Sequence, residues 1–200
     1  CCVAWAVAYG GSFRRNVVWQ PEINDLVKFL RSLGAVISGG DSDTFTIQGV
    51  STRRSCQYSV MPDRIEAGTY LVAAAATRGC IAVDGADAEH LGLVLDKLRE
   101  AGVDVQVEGT CITADMRGKR SRAVNITTAP YPGFPTDMQA QFTALNLFAD
   151  GVARITETIV ENRLIHAQEM SRMGANIAID GHSVIIQGQE EVRGAPVMAS

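Results

Sequence analysis

One phrase occurs three times along this chain, and a repeat decides an architecture before any local propensity does. It reads L-R-S-L-G-A-V-I-S at 30–38, L-R-E-A-G-V-D-V-Q at 98–106 and M-S-R-M-G-A-N-I-A at 170–178. Each copy ends an amphipathic run on a glycine and then passes into alternating residues. The glycines are Gly34, Gly102 and Gly174, which lie 68 and 72 positions apart. A second mark has the same period: apolar runs close at Gly11, Gly79 and Gly151, again 68 and 72 apart. Two marks with equal spacings imply three copies of one unit, helix, strand, helix, strand, strand. A further strand before each Ala-rich helix, at 56–60 or 124–127, makes the unit β-α-β-α-β-β. Strands alternating with helices place the chain in the α/β class (α+β in some schemes), with helices packed on one side of mixed sheets.

The helices follow from apolar spacing. Ile23, Leu26, Val27, Leu30 and Leu33 form one stripe, and Gly34 suits the left-handed position that ends a helix. In the second unit Asp87 can cap a helix whose stripe is Leu91, Val94, Leu95 and Leu98. Short β-branched runs at 44–47, 110–113 and 183–186 read as strands.

Composition narrows the function classes. The chain has 200 residues, 46% of them hydrophobic and 20% charged, at net charge -4, which describes a soluble globular protein. No basic run is present to displace phosphate counterions, so nucleic acid is not an expected partner. Cys1, Cys2, Cys56, Cys80 and Cys111 contain no C-x-x-C pair, and His90, His166 and His182 show no ligand spacing, so no metal site is expected and a reducing compartment fits. The apolar opening at 1–9 stops at Gly10-Gly11, too short to cross a bilayer, and reads as a buried helix end. A start inside an apolar run without Met is how a fragment looks.

Chemistry is expected where rigid loops meet helix starts. T-A-P-Y-P-G-F-P-T-D-M-Q at 128–139 has three prolines and a glycine, which restrict the backbone and allow a tight turn. Thr136 and Gln139 have capping-box spacing, which puts Asp137 in a first helical turn. There Asp137 either complements the helix dipole or carries chemistry. Asn162 can cap the next helix, leaving Arg163 at its positive end, and Arg64 stands similarly after Asp63. A cation at that end suggests a bound anion, with a salt bridge to Glu66 or Glu161 as the alternative.

These segments together resemble one family. T-A-P-Y-P-G-F-P-T-D-M-Q-A-Q-F-T-A-L-N-L, then I-T-E-T-I-V-E-N-R and M-S-R-M-G-A, with P-D-R-I-E-A-G-T-Y-L-V-A-A-A at 62–75 and P-E-I at 21–23, are similar to the UDP-N-acetylglucosamine enolpyruvyl transferases. The resemblance implies two domains, each of three β-α-β-α-β-β units around a pseudo-threefold axis, with the active site in the cleft between them. It implies transfer of the enolpyruvyl group of phosphoenolpyruvate to the 3-hydroxyl of UDP-N-acetylglucosamine, by addition and elimination of phosphate. This is the first committed step of peptidoglycan synthesis, in the cytoplasm. Asp137 matches the carboxylate that contacts the sugar hydroxyl and is the candidate general base. Arg163 matches an arginine facing phosphoenolpyruvate, and Ile159 a position touching the uridine part. No metal, organic cofactor, nucleic acid or membrane is implied. The partners are the two small substrates and the remainder of a parent chain.

By the same resemblance the chain starts after a nucleotide-contacting S-V-G loop and stops before a D-L-R segment. It thus lacks the early Lys-Asn pair, the loop with the acid cysteine and the last arginine. None of the five cysteines aligns with that acid, and they read as packing or incidental thiols. The stretch around Trp19 departs from the family pattern. Residues 1–55 are expected to be the last unit of the cysteine-bearing domain, and 56–200 two units of the other domain. A chain of this extent is expected to be inactive alone. The alternatives are a non-catalytic nucleotide-sugar-binding or regulatory remnant, and the sister transferase acting on a shikimate phosphate.

Overall fold

A proline opens the first described helix, at the position where its fixed φ fits and its missing N–H would have had no partner. The computed structural model describes residues 11–14, 20–39, 45–50, 52 and 54–198. The opening run at 1–9 and Trp19 lie outside them. The chain divides into two compact units, Cys1–Met61 and Pro62–Ser200.

The first unit contains β1 (Gly11–Arg14), α1 (Pro21–Ser32), β2 (Val36–Gly39) and β3 (Phe45–Gln48). Val27 and Leu30 of α1 pack on Ile37, Phe45 and Ile47, with Ile23 and Leu33 partly buried beside them. Leu26, expected in that stripe, is 38% exposed because it sits on the shoulder of the helix face. The strand expected at 56–60 is absent, and this segment is irregular. Side chains hold it instead: the Tyr58 hydroxyl donates to Asp25 Oδ1 at 2.8 Å, and its ring lies 5.3 Å from that of Phe29.

The second unit has two copies of the repeat. The first copy is α2 (Arg64–Ala76), β4 (Cys80–Val83), a 3-10 turn Ala88–Leu91 leading into α3 (Gly92–Glu100), β5 (Asp104–Glu108) and β6 (Cys111–Asp115). The second is β7 (Ile126–Thr127), a 3-10 turn Thr136–Met138 leading into α4 (Gln139–Leu147), β8 (Val152–Thr156), α5 (Ile165–Arg172), β9 (Asn176–Asp180) and β10 (Ser183–Gln187). The sheets run β1-β3-β2, β4-β6-β5 and β7-β8-β10-β9. In all three, the last strand lies antiparallel between the two that precede it. β7 adds parallel to β8. The period in the sequence is therefore a period in topology. Gly34, Gly102 and Gly174 take φ of +96°, +94° and +83°, and each donates its N–H to the carbonyl three residues back at 2.9 Å.

Two kinds of helix cover these sheets. α3 buries the expected stripe of Val94, Leu95 and Leu98 beside Leu91, and Asp87 accepts from Glu89 N at 3.0 Å to cap the turn before it. α2 and α4 are internal. They bury Ala67, Leu71, Val72 and Ala75, and Phe142, Thr143, Leu145 and Asn146. Asn146 uses both ends of its amide: Oδ1 accepts from Val124 N at 2.9 Å, while Nδ2 donates to Val124 O at 3.1 Å and to Phe142 O at 3.0 Å. This pair of bonds ties the chain entering β7 to α4, so the proline-rich loop between them is fixed at both ends.

Nothing lies within 4 Å of a Cβ built on Gly174, so a substitution there tests backbone conformation alone. Gly174→Ala is expected to lower stability by about 1–2 kcal/mol, and Gly174→Asn by less. Thermal melts of the three proteins check this order.

Candidate active site

The loop after β7 is closed by its own backbone: Ala129 N donates to Phe134 O at 2.9 Å and Gly133 N to Pro130 O at 2.7 Å. A Cβ on Gly133 would fall 2.5 Å from that of Ala129, so this tight closure needs glycine. Phe134 is buried and meets Phe142 edge-on at 5.1 Å. The loop therefore delivers Pro135 and the turn Thr136–Met138 to a set place, with Asp137 in that turn as expected.

The expected capping box does not form. Thr136 Oγ1 donates to Glu157 Oε2 at 2.7 Å, and no side chain caps this turn or the start of α4. Thr136 is itself the first residue of the turn, with Pro135 in the cap position, so its hydroxyl is left to donate to Glu157. Glu157 follows directly after β8. Ala153 and Ile155 of that strand are buried, and the same alternation carries Glu157 inward, to 3% exposure. Its Oε1 accepts from Thr128 Oγ1 at 2.8 Å, Ile159 N at 2.8 Å and Val160 N at 3.1 Å. Burial alone pushes this carboxyl up. The hydroxyls of Thr136 and Thr128 and the two N–H groups together outweigh burial and hold it below the usual carboxylate value. Sequence reasoning passed over Glu157, although an acid in phase with two buried strand positions was the signal.

Arg163 and Asp137 meet. Arg163 Nη2 lies 2.6 Å from Asp137 Oδ1, with the side chains 39% and 52% exposed, and Arg163 Nη1 reaches Thr136 Oγ1 at 3.4 Å. The placement differs from expectation in two ways. α5 begins at Ile165, with Leu164 before it and no side-chain cap. Asn162 has φ of +58° and so belongs to the preceding turn. The salt bridge named for Arg163 was to Glu161, whereas the carboxylate it reaches is Asp137. Ile159 is 43% exposed and joins the group only through its N–H to Glu157. Arg64 follows the cap Asp63, which accepts from Ile65 N and Glu66 N at 2.8 and 3.2 Å, and its guanidinium lies 5.7 Å from the centre of the Tyr131 ring.

A cleft of about 360 Å³ opens beside Glu157, Val160 and Arg163. A second, of about 270 Å³, lies against Arg64, Tyr131 and Pro135. His166 is held below its usual pKa, first by burial and then by the charge of Arg163. Among the described residues no group of three His, Cys, Asp or Glu side chains could hold a metal ion, and no helix is long and apolar enough to cross a membrane.

Comparisons with known proteins bear on this arrangement. The sequence model of the family EPSP synthase (3-phosphoshikimate 1-carboxyvinyltransferase) matches residues 3–200. UDP-N-acetylglucosamine 1-carboxyvinyltransferases from two strains of Coxiella burnetii are 50% identical over 198 residues, which is 99% of this chain and 46% of theirs. The chain thus spans about half the length of the relatives it matches. The crystal structure of the enolpyruvyl transferase NikO from Streptomyces tendae superposes with a TM-score of 0.76 at 28% identity, over 92% of this chain and 44% of that one. EPSP synthase from Acinetobacter baumannii shares the fold, with a TM-score of 0.51 at 14% identity over 94% of this chain and 44% of that one.

The lowered pKa of Glu157 has a definite sign in stability. Its stabilising effect is complete above the ordinary glutamate value of 4.5 and is lost as pH falls below that value. Glu157→Gln is therefore expected to melt below the wild type at pH 7, with the gap narrowing towards pH 3. Melting temperatures measured across that range check it.

Proposed function

We propose, for a chain that belongs to the EPSP synthase family of enolpyruvyl transferases, that it forms part of an enzyme transferring the enolpyruvyl group of phosphoenolpyruvate to the 3-hydroxyl of UDP-N-acetylglucosamine. The observation that carries this is the close pairing of Asp137 with Arg163 at 2.6 Å, in a chain 50% identical to UDP-N-acetylglucosamine 1-carboxyvinyltransferases. The step is the first committed one of peptidoglycan synthesis, so it belongs to cell wall biogenesis and the maintenance of cell shape in the cytoplasm. Residues 1–55 would be the last unit of one domain and 56–200 two units of the other. The shared strand order and the division at Met61 and Pro62 support that assignment.

The roles are those the resemblance implies, and the closeness of Asp137 and Arg163 supports them. Asp137 takes the proton of the sugar hydroxyl as its oxygen bonds to C2 of phosphoenolpyruvate, while C3 gains a proton from an acid. Loss of phosphate from C2 and of a proton from C3 then restores the enol ether. Arg163 presents a planar fork to the anion of phosphoenolpyruvate, and the pair to Asp137 keeps that fork aimed while no anion is bound. Ile159, exposed on its turn, offers an apolar face to the uridine part.

In a full-length protein carrying this chain, Asp137→Asn should reduce kcat by roughly 10²-fold or more with little change in KM, since an amide keeps hydrogen bonds but takes no proton. Arg163→Lys should raise KM for phosphoenolpyruvate about ten- to hundredfold, leaving the UDP-sugar KM nearly unchanged. Steady-state kinetics with each substrate varied checks both. Normal turnover in Asp137→Asn would reduce Asp137 to a helix-start residue.

A further inference from the structure

Glu157 has no role in the resemblance, yet two separate parts of the candidate site are tied to it. We propose that Glu157 is a positioning residue for enolpyruvyl transfer, whose carboxylate sets the turn carrying Asp137 and the turn carrying Ile159 in one mutual arrangement. This rests on the function proposed above.

The two oxygens divide the task. Oε1 accepts from Ile159 N and Val160 N, at 2.8 and 3.1 Å, and so fixes the turn that leaves β8. It also takes the Thr128 hydroxyl at 2.8 Å, at the entry to the proline-rich loop. Oε2 accepts from Thr136 Oγ1 at 2.7 Å, one residue before Asp137. Thr136 Oγ1 is in turn reached by Arg163 Nη1 at 3.4 Å. A carboxylate that only capped its own turn would need the Ile159 and Val160 contacts alone. The Oε2 contact crosses to a different segment of chain, the one that carries the candidate base. Bonds to a buried carboxylate are shorter and stiffer than neutral ones, and at 3% exposure water offers no substitute for them. Proton transfer from a bound hydroxyl tolerates little displacement of the base, so a loosened Thr136 should be felt in turnover.

The test uses a full-length protein carrying this chain, assayed at 25 °C with UDP-N-acetylglucosamine and phosphoenolpyruvate. Thr136→Val removes the bond to Glu157 Oε2 together with the longer contact from Arg163 Nη1, and should lower kcat by roughly ten- to a hundredfold, with the UDP-sugar KM within about twofold of wild type. Thr136→Ser, which keeps the hydroxyl, should recover most of that loss. Glu157→Ala frees both turns, so it should lower kcat and raise the UDP-sugar KM together. Ile112→Val, buried on β6 in a sheet that does not carry Glu157, should melt earlier with both constants unchanged. Hydrogen exchange adds a second readout: the Met138 amide, bonded to Pro135 O across the Asp137 turn, should exchange faster in both Thr136→Val and Glu157→Ala. Wild-type kcat in Thr136→Val, or an unaltered Met138 amide in Glu157→Ala, would overturn the proposal and leave Glu157 as the cap of its own turn. If the wild type transfers no enolpyruvyl group, the proposed function falls and the positioning role falls with it. Wild-type transfer with an unaffected Thr136→Val overturns the positioning role alone.

Discussion

In each unit a helix crosses between two outer strands, and the last strand enters between them antiparallel to both. The central strand is thereby hydrogen-bonded on both edges, and alternate residues of its sheet must face the helices. That requirement sets the rest. It demands a sharp reversal after each crossing helix, met by a left-handed glycine at 34, 102 and 174. In β8 the inward phase of Ala153 and Ile155 continues one residue past the strand. At the end of β8 the next inward residue is an acid, and the fold surrounds it with four donors.

The pattern that recurs along the chain was legible because its signals are local. Glycine spacing, the apolar stripe of α3 and the Asp87 cap depend on neighbours within one turn, and the structure shows each of them. What escaped were groups whose partners lie far away in sequence. Thr136 and Asn162 are expected as helix caps, but the Thr136 hydroxyl donates to Glu157, 21 residues away, and Asn162 lies in the turn before its helix. Tyr58 likewise replaces an expected strand by a side-chain bond across 33 residues.

The same distinction applies to the candidate site. Arg163 is expected at a helix start, with a bound anion or Glu161 as partner; the helix begins two residues later, and the carboxylate it reaches is Asp137, 26 residues away. The two groups expected to face different substrates neutralise one another here. Under the proposed function either substrate would compete with this contact, which sits half in solvent and is correspondingly weak. The exposed pair thus rests, through Thr136, on a buried carboxylate held by four donors.

Under the proposed function this arrangement serves a sugar nucleotide. Calorimetric titration of a full-length protein carrying this chain, with UDP-N-acetylglucosamine in one experiment and shikimate 3-phosphate in another, tests it most directly. The account predicts saturable heat from the UDP-sugar and none from the shikimate phosphate. Binding of the shikimate phosphate alone would contradict it.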